Sequence, residues 1–334
     1  MGAIEDLRAG AAWKEILDGE AGVRAGALIR RTPLLEAPSL AADGRARSAL
    51  VKAEGLQRTG SFKIRGAAGR LAALSTEEAD RGVVAASAGN HGLGIAAASR
   101  AMGIEALIVV PETSPEVKRS GIAALGATLE VRGGTYDEAE HEALAVARER
   151  GAAFISGFDD EYVIAGNGGT LGRELSEQAG GLGAGDVVVI PVGGGGLASG
   201  IAGAIHGTGA TLLGVEPAAN HAMRDSFDRG RAATEYPEGR PTMAEGLEGA
   251  VSPRTFAICR EALADIVLAK EPAIARAMAR AYRELGLVLE ASAAVTIAAL
   301  AEGLVDAGGG RVLCIATGSN VDAEVLDAAL ASEG

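Results

Sequence analysis

"RGVVAASAGNHGLGIAAASRAMGIEALIVVP", residues 81–111, decides the fold. Its first seven residues, "RGVVAAS" (81–87), have the length and apolar content of a buried strand. "HGLGIAAASRAMG" (91–103) reads as a helix closed by Gly103, and "IEALIVVP" (104–111) as a second buried strand. A helix between two such strands implies parallel pairing, because antiparallel neighbours need only a short hairpin. The alternation continues on the far side. "SPEVKRSGIAALG" (114–126) reads as a helix with Ser114 and Pro115 as N-cap and first-turn pair. "ATLEVRG" (127–133) follows as strand and "YDEAEHEALAVARERG" (136–151) as helix. Past residue 152, strands recur at "DVVVIPV" (186–192), "TLLGVEP" (211–217) and "RVLCIAT" (311–317). The expected fold is α/β, with two open parallel-sheet lobes and no flexible linker between them. Residues 1–75 and 153–334 are expected to make the large lobe and 76–152 the small one. "FDRGRAATEYPEGRPTMAEG" (227–246) is the least regular stretch and reads as a surface excursion.

Composition narrows the partners. The 334 residues are 48% hydrophobic, enough for a substantial core, and carry a net charge of −13. That charge argues against nucleic acid or an anionic membrane surface. "MGAIEDLRAGAAW" places acids where a signal peptide needs basic and then apolar residues, and Asp6 stands where a myristoylation motif needs Ser or Thr. The longest apolar run, "LGLVLEASAAVTIAAL" (285–300), is interrupted by Glu290 and is too short to span a bilayer. Cys259 and Cys314 make no disulfide framework and lack metal-ligand spacing. A soluble chain in a reducing cytoplasm is the expectation.

In open parallel sheets, ligands bind beyond the carboxyl ends of the strands. Three strand-to-helix loops there are chemically loaded: "SAGNHG" (87–92), "VGGGGLASG" (192–200) and "TGSN" (317–320). Each brings small residues and free N–H groups to a helix start, where partial positive charge favours a phosphate. The second loop admits two ligands. Gly193-x-Gly195-x-x-Ala198, with Glu216 about 20 residues on, loosely fits a dinucleotide fingerprint. Four consecutive glycines equally suit the wrapping of one compact phosphate. They also suit no ligand at all, relieving crowding between strand and helix.

"QRTGSFKIRG" (57–66) shifts that balance. Most lysines sit among charges on open helix faces, whereas Lys63 lies between Phe62 and Ile64 in a glycine-bounded, hydroxyl-rich turn. An amine desolvated by such neighbours has a lowered pKa and can attack a carbonyl. A lysine, a glycine phosphate cup and a polar loop describe a pyridoxal-phosphate site better than a hydride-transfer site.

Six ordered motifs carry a family resemblance: "KAEGLQRTGSFKIRGA" (52–67), "ASAGNHGLGIA" (86–96), "PVGGGGLASGIA" (191–202), "GVEP" (214–217), "TMAEGLE" (242–248) and "ATGSNVD" (316–322). The chain resembles the pyridoxal-phosphate-dependent threonine/serine dehydratases, which share the tryptophan synthase β-subunit-like fold (fold type II) and are related to serine racemase. The likeness runs from "RTPLLEAPSL" (31–40) to the last helix. It implies that pyridoxal 5'-phosphate lies in the cleft between the lobes, bound to Lys63 as a Schiff base. Lys63 would also move protons at Cα, and Ser61 would help at the leaving hydroxyl. Phe62 belongs to the same cofactor-binding motif, and Asn90 would hold the cofactor's 3-hydroxyl. Gly193, Gly194, Gly195, Gly196 and Leu197 would wrap the phosphate, and Thr317 would face the pyridine nitrogen. Ser87, Ala88, Gly89 and His91 would receive the substrate carboxylate, although taken alone Ser87 and His91 read equally well as a loop hydroxyl and a helix-capping imidazole. A neutral hydroxyl at Thr317 weakens the electron sink relative to a carboxylate and favours prompt loss of a β-substituent. The implied reaction is α,β-elimination of a β-hydroxy L-amino acid such as threonine or serine to a 2-oxo acid and ammonia.

The alternatives on the same fold are a racemase and a β-replacement synthase; outside it stands a nicotinamide-dependent oxidoreductase. Racemisation needs an acid or base on each face of the reacting carbon. In the racemase relatives a serine serves the second face, at the position of Ala88, so elimination is expected to dominate. The resemblance further suggests a divalent cation near "GVEPAANHAMRD" (214–225) with Glu216 as a ligand. Ala222 stands where metal-binding members have a second carboxylate, so no strong site is expected, with Asn220 and Asp225 as the substitutes at hand. A homodimer is expected from the family. The sequence ends at Gly334 without an appended effector domain, so feedback inhibition by isoleucine is not expected.

Overall fold

A computed structural model describes residues 2–87, 89–112, 114, 116–134, 136–236 and 239–331. Ala88 and Pro115, both singled out in the sequence, lie outside the described residues. Strands that the sequence predicts form with small shifts at their ends. β3 (Val83–Ala86), β4 (Ala106–Val110) and β5 (Thr128–Val131) pair in parallel, with β6 (Ala153–Phe154) on the other side of β3. This four-stranded sheet therefore reaches residue 154, two residues past the expected boundary of the small lobe.

The second sheet has six strands in the order β1-β2-β10-β7-β8-β9, namely Leu34–Glu36, Ser48–Ala53, Arg311–Ala316, Asp186–Pro191, Thr211–Pro217 and Leu263–Ala269. Every pairing in it is parallel except that of β1 with β2. Both sheets are buried on two faces, as period-2 side-chain alternation with helices on each side requires. Val312, Cys314 and Ala316 of β10 enter one core cluster, and Leu313 and Ile315 enter another. On β3, Val83 and Ala85 face one cluster while Val84 and Ala86 face the other. Among the described residues no helix is long and apolar enough to cross a membrane.

Candidate active site

The carboxyl ends of β3, β7 and β10 each open into one of the three loops. Ser87 follows β3, and the helix Asn90–Met102 begins inside that loop. Gly193–Gly195 follow β7 and lead into the helix Gly196–Ala204. Thr317 follows β10. Lys63 opens its own helix, Lys63–Ala72, and the turn before it is zipped to the segment after β10. Phe62 N donates to Thr317 O (3.0 Å), Ser61 bridges to Gly318, and Ser319 N donates to Gly60 O (2.8 Å).

Lys63 Nζ donates to Gly157 O (2.8 Å) and stands 5.3 Å from the centroid of the Phe62 ring. Desolvation pulls its pKa down to about 8, against the opposing charge of Glu290. Ile64, by contrast, enters the core cluster shared with β3 and β4. The dipeptide Gly157–Phe158 links the amine to the glycine loop. A Cβ on Gly194 would meet the Phe158 ring at 2.5 Å, and one on Gly196 would meet Phe158 O at 2.5 Å. Gly195 has φ +86°, a conformation that L side chains rarely adopt. The glycines are therefore sterically required where they stand. They also leave donors: Gly196, Leu197 and Ala198 open a helix and have no intrahelical acceptor for their N–H groups.

A π-helical turn, Ala165–Gly169, fixes the lysine helix against the glycine-loop helix. Asn167 Oδ1 accepts from Gly66 N (2.8 Å), and a Cβ on Gly168 would lie 2.3 Å from Leu197 O. "AGNGG" looks like a breaker in sequence, so this turn carries no helical signal. Its clue was the close glycine spacing that two tightly packed helices demand.

Asn90 Nδ2 donates to Glu290 Oε1 and Oε2 (2.8 and 2.9 Å), and Asn90 Oδ1 accepts from Asn320 Nδ2 (2.6 Å). Ser87 Oγ accepts from Gly89 N (3.1 Å). His91 Nε2 donates to Ile155 O (3.0 Å), and burial brings its pKa down to about 4, so the ring is neutral. Its buried Nδ1, and the buried Ser61 Oγ, find no partner among the described residues. Thr317 is buried beside Phe62.

Glu216 is turned to a different task. Its oxygens accept Met223 N (2.9 Å) and Arg224 N (2.8 Å), anchoring the helix Ala222–Arg229, and burial pushes its pKa up to about 8. Both oxygens are thus spent on a helix start instead of reaching for a ribose, which removes the main support for a dinucleotide. Of the cation substitutes, Asp225 accepts from Tyr236 Oη (3.0 Å), while Asn220 Oδ1 finds no partner among the described residues.

The site's donor set fits pyridoxal phosphate: a desolvated lysine, a glycine strand-to-helix loop with free amides, and a neutral hydroxyl after β10. A family model described as pyridoxal-phosphate dependent enzyme matches residues 26–318, and the chain belongs to that family. Its cofactor is pyridoxal phosphate. Among its relatives, the L-threonine ammonia-lyase of Thermotoga maritima is 40% identical over 280 residues, covering 83% of this chain and 68% of that protein. Threonine deaminase isoform 2 from Solanum lycopersicum superposes with a TM-score of 0.84 at 33% identity, over 99% of this chain and 92% of that one. Serine racemase from Dictyostelium discoideum gives 0.82 at 31% identity, over 96% and 99%. The two-lobed α/β fold is the fold of these enzymes.

Proposed function

We propose that the protein is a pyridoxal-phosphate-dependent ammonia-lyase that converts a β-hydroxy L-amino acid of the threonine or serine type to a 2-oxo acid and ammonia. The observation that carries this reading is the desolvated Lys63 amine, set between the glycine loop after β7 and the Asn90 loop after β3. When bound, the cofactor supplies the electron sink that lets a proton leave Cα. Lys63 would hold the cofactor through its carbonyl and, freed by the substrate amine, would take the proton from Cα, while the β-hydroxyl leaves protonated as water. Gly193, Gly194, Gly195, Gly196 and Leu197 hold the phosphate through N–H groups, while Phe62 shields the amine from water. Thr317 offers the pyridine nitrogen a neutral hydroxyl, and Asn90 offers a donor to the ring's phenolic oxygen. Ser87, Gly89 and His91 line the loop that receives the substrate carboxylate, and the unpartnered hydroxyl of Ser61 serves the departing β-hydroxyl.

The lobe division proposed with this reading assigns 76–154 to the small lobe, so that β6 stays with its sheet. Cytoplasmic location is proposed from Cys259 and Cys314, which make no disulfide framework, and a homodimer from the resemblance.

Incubation with L-threonine or L-serine, followed by a 2-oxo acid assay and chiral chromatography, tests the reading. 2-Oxo acid is expected in large excess over D-amino acid. D-product formed as fast as 2-oxo acid would make the protein a racemase. Cofactor uptake adds a pH test. With a pKa near 8, roughly one Lys63 amine in ten is neutral at pH 7. The initial rate at which added pyridoxal phosphate develops colour should rise with pH and level off above about 8. A flat profile from acid to alkaline would refute a lysine titrating there.

A further inference from the structure

Glu290 entered the sequence reading only as an interruption in an apolar run. In the fold it reaches the cleft. It is the residue before the helix Ala291–Ala301, and its backbone N donates to Gly318 O (3.1 Å), so it sits against the segment that follows Thr317. A Cβ on Gly318 would fall 2.3 Å from Glu290 Oε1, so the missing side chain of that glycine is what lets the carboxylate lie there. Both carboxylate oxygens accept from the amide of Asn90, and from the other side Asn320 Nδ2 donates to Asn90 Oδ1 while also donating to Thr59 O (2.8 Å).

The geometry assigns Glu290 as a positioning residue that fixes the amide of Asn90 with its amino end as the group presented to the cofactor, a role that rests on the cofactor reading above. The reasoning is one of hydrogen-bond types. An amide has a donor end and an acceptor end, and nothing in its shape tells them apart. A carboxylate accepts only, so it selects the donor end; Asn320, offering an N–H, selects the acceptor end. Turning the amide over would set Oδ1 against the Glu290 oxygens and Nδ2 against the Asn320 amino group. Both contacts would become repulsive. With one N–H of Nδ2 held by the carboxylate, Asn90 can therefore offer the other to an oxygen acceptor, such as the phenolic oxygen of pyridoxal phosphate, and cannot offer its carbonyl. The charge of Glu290 also favours the protonated form of Lys63, which places the carboxylate within electrostatic reach of the amine.

The test uses full-length protein reconstituted with pyridoxal phosphate and reads its absorption spectrum and cofactor dissociation constant. Glu290→Ala removes the acceptor. It should shift absorbance from the visible to the near-ultraviolet band in the direction given by Asn90→Ala, and weaken cofactor binding about tenfold. Glu290→Gln keeps one acceptor oxygen and should recover part of both effects. The double variant Asn90→Ala/Glu290→Ala should match Asn90→Ala alone, because a residue acting through Asn90 has nothing left to act on. A merely structural role at the helix start predicts a lowered melting temperature with an unmoved spectrum, or effects that add in the double variant; either overturns the assignment. A visible band present in the wild type, lost in Lys63→Ala and unmoved in Glu290→Ala overturns this assignment alone. A wild type without any lysine-dependent band overturns the cofactor reading with it.

Discussion

Replacing Lys63 with alanine is expected to leave a folded, colourless protein whose turnover falls by at least about 10³-fold, since the proposed covalent anchor and proton carrier are lost together. The side chain is half-buried, and among the described residues its amine donates only to Gly157 O, so the loss opens no large core cavity. Stability should respond in the opposite sense to activity. The amine's pKa in the folded cofactor-free protein lies below its ordinary value, so folding is penalised wherever the unfolded chain binds the extra proton more tightly. That penalty is full below pH 8 and is recovered as pH rises from about 8 towards 10.5, by about 1.4 kcal/mol per pH unit crossed. Cofactor-free Lys63→Ala should thus be no less stable than the wild type at pH 7, with any advantage shrinking in alkali. Urea unfolding at pH 7 and pH 10, beside the absorption spectrum and the 2-oxo acid assay, measures all three. A yellow, active Lys63→Ala protein would remove the basis of the assignment.

What the sequence disclosed follows from what leaves a local mark. The strand-loop-helix units of residues 81–151 were legible because fully apolar strands and glycine-closed helices punctuate the chain; Gly103, at φ +70°, ends its helix as expected. The glycine loop and Lys63 stood out for the same reason, each being an unusual local composition. Residues that matter through distant partners left no such mark. Glu290 lies 200 positions from Asn90, and Gly157 lies 94 from Lys63, so neither contact has a sequence period. Four strands, β1, β2, β6 and β9, have no counterpart among the strands read from the sequence; β1 and β6 are only three and two residues long, and β2 and β9 escape for separate reasons. β9 follows the helix Pro253–Ala262 with no intervening turn residue. β2 carries Lys52 in the middle of a sheet, and Glu54 follows directly, so its apolar pattern is broken where the strand is most buried.

Those two charges belong to the buried set that makes Arg65→Ala the largest expected loss of stability. Arg65, two residues past Lys63, is 1% exposed; its Nε and one terminal nitrogen donate to the two oxygens of Glu54 (2.7 and 2.8 Å), and that nitrogen also donates to Glu174 (3.0 Å). Lys52 donates to Glu174, to Thr32 O (2.7 Å) and to Gln178 Oε1 (2.8 Å), and Thr32 Oγ1 donates to Glu54 (2.5 Å). Two cations face two carboxylates, and every ion is hydrogen-bonded. Such a set adds little over a well-packed apolar one, but removing one member leaves a charge buried without its partner, which costs about 3–5 kcal/mol. The pH dependence identifies the cause. Burial works to raise the pKa of Glu54, and the charge and hydrogen bonds of Arg65 more than offset it, so the carboxyl titrates below its ordinary value. Without Arg65 the burial effect is left less opposed and the folded-state pKa rises above the unfolded one. The folded variant then holds a proton that the unfolded chain releases, so its stability falls as pH climbs above about 4.5. Urea midpoints should therefore show a deficit of about 3–5 kcal/mol at pH 8 that narrows clearly at pH 5. A deficit below about 1 kcal/mol, or one identical at both pH values, would mean that Glu54 does not depend on Arg65 for its charge.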